Sequence, residues 1–242
     1  MKLTVDIGNT QIKFGVFDKM KLVYSSYLSN SDDILNTFKE IKTFNPTIGI
    51  ISSVVPKLTL KYKNKIEAFF AISTFIISYK NCKIKLSVPE PKTVGIDRIC
   101  NVAAVNKLYN MPAIIIDFGT ATTYDVINKD GDFIGGVISP GVKTSAEYLI
   151  AKAALLNDTD LVFPKNTIGK DTKENIQSGI MHGAIDQVQG MIIRINNETK
   201  INNLIILTGG FSKLLSPKLE THHTLDMDLT LKGMIFINES NN

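Results

Sequence analysis

An α/β chain made of two copies of one domain is what this sequence predicts, each copy a mixed sheet flanked by helices, with a cleft between them. Three observations carry the prediction. Short apolar strand-like runs alternate with helical patterns along the whole chain. An Asp-x-Gly turn closes an apolar run at Asp6-Ile7-Gly8 and does so again at Asp117-Phe118-Gly119. Asp117 follows Asp6 by 117 − 6 = 111 residues and Gly119 follows Gly8 by the same interval, a period too long for a solenoid and right for a duplicated domain.

In order along the chain, Leu3-Thr4-Val5, Ile12–Phe17 and Leu22–Tyr27 read as three strands. Their short connections, the second at Asp18-Lys19, make them an antiparallel meander. Ser31, Asp32 and Asp33 form a helix-start signal, with Ile34, Phe38 and Ile41 on one face of the helix that follows. Ile48–Val55 is an apolar run bounded by prolines and reads as a buried strand. Lys57–Phe70 follows as a helix and Thr74–Ser78 as a strand. The first half is therefore βββαβαβ, with Phe69-Phe70 and Phe75–Ile77 as core.

After a helix over Arg98–Tyr109 the same grammar restarts, with a boundary near Asn110-Met111-Pro112 that divides the chain into domains 1–110 and 111–242. Ile114–Ile116, Thr122–Asn128 and Phe133–Ile138 read as strands, the last two joined by a turn at Asp130-Gly131. Thr144–Leu156 and Lys173–Asn196 read as helices. Leu204–Leu207 is a strand ending at Thr208-Gly209-Gly210, and Glu239–Asn242 is expected to fray.

Composition narrows the functions available. Hydrophobic residues are 44% and charged residues 21%, which excludes disordered, collagenous and membrane-spanning classes. The net charge of +4 is spread along the chain, so no basic stripe for nucleic acid is expected. Cys82 and Cys100 are the two cysteines and belong to no CxxC or Cys/His cluster. They read as reduced thiols. Asp6 and Asn9 interrupt the first apolar stretch before a leader's apolar region develops, and a cytoplasmic location away from membranes is expected. His222-His223 lacks a nearby third ligand and reads as surface, while His182 lies in a helical pattern and reads as structural.

The paired turns suit phosphate chemistry. Glycine lets backbone N–H groups reach an oxyanion, and Thr10, Thr120 and Thr122 add hydroxyl donors. Carboxylates alone would repel phosphate, so they imply Mg²⁺ and a monovalent cation. Asp97 and Arg98 begin a helix. They suit either a cap and ion pair, or a general base beside an anion-binding guanidinium. Lys13 follows the first turn and either lies along the surface or reaches a phosphate.

These residues resemble the type III pantothenate kinases, in the superfamily of actin, Hsp70 and sugar kinases. The resemblance runs through Asp6-Ile7-Gly8-Asn9-Thr10, Ser52-Ser53-Val54-Val55-Pro56, Gly95-Ile96-Asp97-Arg98-Ile99 and Asp117-Phe118-Gly119-Thr120-Ala121-Thr122-Thr123. It continues through Gly135-Gly136-Val137-Ile138-Ser139-Pro140-Gly141, Gly169-Lys170-Asp171-Thr172, Ile176-Gln177-Ser178-Gly179, Leu207-Thr208-Gly209-Gly210 and Leu229-Thr230-Leu231-Lys232-Gly233.

The resemblance implies two ribonuclease H-like, actin-like ATPase domains and ATP-dependent phosphorylation of pantothenate, the first step to coenzyme A. It also implies a homodimer with its substrate pocket near the subunit interface. It assigns ATP binding to Asp6, Ile7, Gly8, Asn9, Thr10, Gln11, Ile12, Lys13 and Thr120. Asp97 matches the proton acceptor, and Gly95, Ile96, Arg98 and Thr172 match substrate contacts. Asp117 matches the ligand of K⁺ or ammonium, and Asp6 is expected to hold Mg²⁺ through water.

Two positions depart from the family pattern. Val88 stands where a substrate-contacting tyrosine is common, and Asp171 stands where an asparagine is usual. The rival readings are a kinase for another small hydroxylated acceptor and a catalytically silent regulatory homologue.

Overall fold

The computed structural model describes residues 1–29, 33–152 and 159–241. It divides into two compact units. The first is Met1–Asn110 with Gly131–Ile134 and Asp228–Asn242, and the second is Met111–Asp130 with Gly135–Met227. The break at Asn110/Met111 lies where the strand–turn pattern restarts, and the C-terminal segment joins the first unit, unlike a simple cut into 1–110 and 111–242.

The first unit carries β1 (Lys2–Ile7), β2 (Gln11–Asp18), β3 (Lys21–Ser29), α1 (Leu35–Lys42), β4 (Ile48–Ser53), α2 (Pro56–Phe70), β5 (Thr74–Ile76) and α3 (Ile96–Leu108). The sheet order is β3-β2-β1-β4-β5; β1–β2–β3 is an antiparallel meander, and β4 and β5 run parallel to β1.

Odd positions of β1 (Leu3, Val5, Ile7) join Ile12, Phe14 and Val16 of β2, Phe38 and Ile41 of α1, and Tyr62 and Ile66 of α2 in one core. Phe38 anchors it, with ring centroids 5.2 and 5.0 Å from Phe69 and Phe70. Asp33 Oδ1 accepts from the Leu35 N–H at 3.0 Å before α1, while Ser31 and Asp32 of the expected start signal lie outside the described residues.

The second unit carries β6 (Ala113–Phe118), β7 (Ala121–Ile127), most of β8 (Phe133–Pro140), α4 (Val142–Lys152), α5 (Thr172–Thr199), β9 (Leu204–Thr208), the short α6 (Ser212–Leu215) and β10 (Thr224–Leu225). Its sheet order, β10-β9-β6-β7-β8, repeats that of the first unit strand for strand. Met181, Ile185, Val188, Ile192 and Ile195 of α5 are buried at alternating steps of four and three, one helical stripe packed on Ile114, Ile116, Phe118, Tyr124 and Leu207. Each such burial contributes about 1.5–3 kcal/mol. The part of the expected helix Thr144–Leu156 beyond Lys152 lies largely outside the described residues.

The fraying expected of the C-terminus concerns Glu239–Asn242, of which Glu239, Ser240 and Asn241 are exposed and Asn242 lies outside the described residues. Helix α7 (Leu229–Glu239) buries Leu229, Leu231, Met234, Ile235 and Ile237, and Asn241 Nδ2 donates to the Asn81 carbonyl at 2.8 Å. It lies against α3, β1 and β4 so closely that a Cβ on Gly233 would overlap the Cys100 carbonyl. Among the described residues no helix is long and apolar enough to cross a membrane.

Candidate active site

The first unit places its candidate residues around the C-terminal end of β1 and the start of α3. Asp6 sits in a row across the sheet, paired with Lys13 on β2 and with Ser52 on β4, and Lys13 is paired in turn with Tyr27 on β3. Side chains in such a row share one face. The β1–β2 turn closes with the Gly8 N–H donating to the Gln11 carbonyl at 3.0 Å, and it leaves Asn9, Thr10 and Gln11 exposed.

The Ser52-Ser53-Val54-Val55-Pro56 segment acquires a physical reading here. The Ser52 hydroxyl donates to Asp6 Oδ1 at 2.8 Å, which fixes the carboxylate. The Val54 N–H donates to the Ile7 carbonyl at 3.1 Å. Ser53 Oγ accepts from the Val55 N–H at 3.1 Å, and Pro56 opens α2, where its missing N–H costs nothing.

Lys13 is part-buried and held by two neighbours. Its Nζ is 3.0 Å from Asp228 Oδ1 and 5.3 Å from the centre of the Tyr27 ring. Burial pushes its pKa down, but the Tyr27 hydroxyl and the Asp228 carboxylate outweigh that and hold it above the ordinary lysine value.

Asp97 and Arg98 open α3 in the same unit, with Gly95 at its N-cap. Asp97 Oδ1 accepts from the Arg98 N–H at 2.8 Å, and a Cβ on Gly95 would stand 2.5 Å from that oxygen. Burial raises the Asp97 carboxyl above its ordinary pKa; the Arg98 N–H and guanidinium pull it back only in part. A carboxylate raised in this way is a better proton acceptor than one in water.

One turn on, the Cys100 thiol is fully buried and lies within the fields of both Asp6 and Asp97. Burial, then the Asp6 charge, push its pKa well up. Both cysteines are free thiols, as the sequence predicts, and both are buried.

The second unit carries Asp117, Thr120 and Thr172. Asp117 on β6 pairs with Thr123 on β7 and with Thr208 on β9, repeating the row around Asp6. The turn differs: the Gly119 N–H donates to the Ala121 carbonyl at 3.0 Å, and the Thr120 carbonyl is gripped by the Gly141 N–H at 3.0 Å and the Thr144 hydroxyl at 2.6 Å. Gly141 must be glycine because a Cβ there would press into the Gly119 and Thr120 carbonyls. Gly209, at φ +89°, would drive a Cβ into Asp117 Oδ1. Thr120 itself is exposed.

Thr172 opens α5. The unusual Asp171 is that helix's N-cap: its Oδ1 accepts from the Glu174 N–H at 2.8 Å, and Glu174 Oε2 accepts from the Lys170 N–H at 2.8 Å. Asp171 thus caps the helix, a role in which aspartate serves as well as asparagine.

His223 is not simply surface. Its ring nitrogens bond the Ser216 hydroxyl and the Thr221 carbonyl at 2.7 and 2.6 Å, while His222 is exposed. His182 packs on Phe163, with ring centroids 5.4 Å apart. Among the described residues no group of three or more His, Cys, Asp or Glu side chains is arranged to hold a metal.

Sequence reasoning missed Ser52, Gly141 and Thr144 as site-building residues. The signal for Ser52 was its place at the end of the strand parallel to β1, which only strand register reveals. Gly141 and Thr144 needed the contact between the start of α4 and the β6–β7 turn.

Comparison with known proteins gives the family and the fold. A family model described as type III pantothenate kinase matches residues 2–194. The type III pantothenate kinase of Halalkalibacterium halodurans is 36% identical over 254 residues, covering 100% of both chains. That of Agathobacter rectalis is 34% identical, covering 100% of this chain and 98% of the relative.

Among solved structures, a candidate Baf family transcriptional activator of Campylobacter jejuni superposes with a TM-score of 0.64 at 20% identity, over 99% of this chain and 98% of that one. The activator of the 2-hydroxyisocaproyl-CoA dehydratase of Clostridium difficile, with bound ADPNP, superposes at 0.58 and 13% identity, over 99% and 95%. A candidate N-acetylmannosamine kinase of Listeria monocytogenes does so at 0.52 and 13%, over 100% and 99%. These distant likenesses bear on fold alone, and they agree with two actin-like, sugar-kinase-like domains. The sequence relatives bear on identity: the chain belongs to the type III pantothenate kinase family.

Proposed function

We propose that this protein transfers the γ-phosphoryl group of ATP to the primary hydroxyl of pantothenate, the first step towards coenzyme A. Family membership supports the reaction. The observation that carries the chemistry is Asp97, a carboxylate made more basic by burial, at the start of a helix and next to Arg98.

In this reading the acceptor's hydroxyl oxygen bonds to the γ-phosphorus, the bond from that phosphorus to the β,γ-bridging oxygen breaks, ADP leaves, and the hydroxyl proton goes to Asp97. The transition state is loose, so positioning carries much of the rate. Asp6, Ile7, Gly8, Asn9, Thr10, Gln11, Ile12 and Lys13 with Thr120 bind ATP. Gly95, Ile96, Arg98 and Thr172 bind the acceptor, with Arg98 on its carboxylate.

Mg²⁺ and K⁺ or ammonium would supply positive charge to the phosphates. Asp6 suits a water-mediated hold on Mg²⁺, because the Ser52 hydroxyl already orients one of its oxygens. Asp117 suits the monovalent ion, because Gly209 leaves open the space beside its carboxylate that a Cβ would fill.

The same reading carries a cytoplasmic homodimer. Tyr148, Ile138 and Leu149 of the second unit are 67%, 63% and 42% exposed, apolar side chains that a second copy could cover. Light scattering that gives a monomer's mass would remove this part.

The deciding experiment is ADP release from Mg-ATP with and without pantothenate, in K⁺ and in Na⁺ buffer. Pantothenate-dependent release that requires K⁺ is expected. Folded protein that is silent in every buffer would favour the regulatory reading, and turnover only with another hydroxylated acceptor would redirect the substrate.

Asp97→Asn should lower kcat by about 10²–10⁴ with the KM for ATP unchanged. It should also stabilise the fold at neutral pH. A carboxyl whose folded pKa is raised costs stability once pH exceeds its unfolded value, so the gain should vanish on acidification below the ordinary aspartate range. Near-normal turnover would remove Asp97 from the role.

A further inference from the structure

We infer that Phe133 is a positioning residue that aims Arg98 at the anionic group of the acceptor. The inference rests on the reading of Arg98 as that anion's contact. Phe133 comes from the start of β8, yet residues 131–134 belong to the first unit. Its ring is 2% exposed and lies 5.3 Å from the Arg98 guanidinium carbon, within cation–π range.

The turn that carries the ring is held in place from two sides. The Phe133 N–H donates to the Lys85 carbonyl at 3.0 Å, and the Ser87 N–H donates to the Phe133 carbonyl at 2.8 Å, so residues 85–87 clamp its backbone. Asp132 Oδ2 pairs with Lys85 Nζ at 2.5 Å and accepts from the Ser87 hydroxyl at 3.3 Å. On the α3 side, Asn106 Nδ2 donates to the Gly131 carbonyl at 2.7 Å, and Gly131 at φ +82° turns the chain there.

The turn is thus fastened both to α3, the helix that carries Arg98, and to the segment before it. A guanidinium on a flexible stem loses less freedom on meeting a carboxylate when a buried ring already restricts it. The 131–134 turn therefore takes part in acceptor recognition although no residue in it need touch the acceptor.

The test is steady-state kinetics of Phe133→Met and Phe133→Tyr beside the wild type. Phe133→Met keeps an apolar, unbranched side chain of similar length and loses the ring. It should raise the KM for pantothenate about three- to tenfold, leave the KM for ATP unchanged, and be reversed by Phe133→Tyr, which restores a ring. In an Arg98→Ala background Phe133→Met should add nothing to the acceptor KM, the coupling expected of a pair that acts together.

An unchanged acceptor KM, equal rises for both substrates, or an additive double variant would overturn the inference. Should Phe133→Met lose its fold, Asp132→Asn decides: a loosened clamp should raise the acceptor KM about twofold at constant ATP KM, and no change overturns the idea. Wild-type protein without pantothenate-dependent turnover would instead overturn the acceptor reading itself, and this inference with it.

Discussion

The two hairpins that carry Asp6 and Asp117 share their strand order but not the way their turns are built. Around Asp6 the row across the sheet holds a lysine and a serine, and the turn between Ile7 and Ile12 leaves Asn9 and Thr10 exposed. Around Asp117 the row holds Thr123 and Thr208, and the turn between Phe118 and Thr122 is shorter by one residue. That second turn is gripped at the Thr120 carbonyl by Gly141 and Thr144, and the glycine at 209 leaves beside the carboxylate the space a Cβ would fill. Duplication kept the scaffold, and divergence of a few turn residues made one loop open with its donors exposed and the other braced around a single carboxylate. An open loop suits a polyanion, and a braced carboxylate suits one small cation.

The largest expected effect separates the two carboxylates. Asp6→Asn should cut turnover by about 10²-fold or more in every buffer, and should raise the Mg²⁺ concentration needed for half-maximal rate. Asp117→Asn should cost less in K⁺ and remove the difference between K⁺ and Na⁺. Paired kinetics of the two variants decide the matter: equal losses with the same ion dependence would break the proposed division of labour.

How far this contrast could be read from the sequence depends on the kind of signal. The strand order βββαβαβ and the duplicated turn were legible, because period-two apolar runs and Asp-x-Gly are local patterns. Asp97 and Arg98 were legible as a helix start, but the raised pKa of Asp97 was not, since burial is a tertiary property. The Lys13–Asp228 pair joins residues 215 apart, and no local spacing announces it. The C-terminal helix was not legible, because its apolar residues have meaning only against α3 and β1.

A smaller effect is expected in stability. Gly209→Ala places a Cβ at a φ of +89° against Asp117 Oδ1 and 2.5 Å from the Phe118 nitrogen, and backbone there cannot give way. It should cost roughly 2–3 kcal/mol and weaken the K⁺ dependence as well. Gly8→Ala meets only the Gln11 carbonyl at 3.0 Å, without a positive φ, and should cost about 1 kcal/mol or less. Thermal melts of the two variants test whether the second turn is the more tightly built. Equal costs would say that it is not.

The smallest expected effect concerns the residue that follows each row. Phe14 follows Lys13 and Tyr124 follows Thr123, and both side chains are fully buried in their cores. The Tyr124 hydroxyl has no hydrogen-bond partner among the described residues, and burial pushes its pKa up to about 12. Tyr124→Phe makes the second hairpin resemble the first at this position. At neutral pH it should be neutral or stabilising by up to about 1 kcal/mol, since a buried unpaired hydroxyl is removed. In alkali the sign is set by linkage. Between the ordinary tyrosine pKa and about 12 the unfolded chain loses a proton that the folded chain keeps, so this tyrosine's part of the stability falls as pH rises through that window. The Phe variant should lose stability less steeply there, which urea titrations at neutral and alkaline pH would measure. Parallel pH profiles for the two proteins would mean that the hydroxyl finds water in solution, and that the second core is as well satisfied as the first.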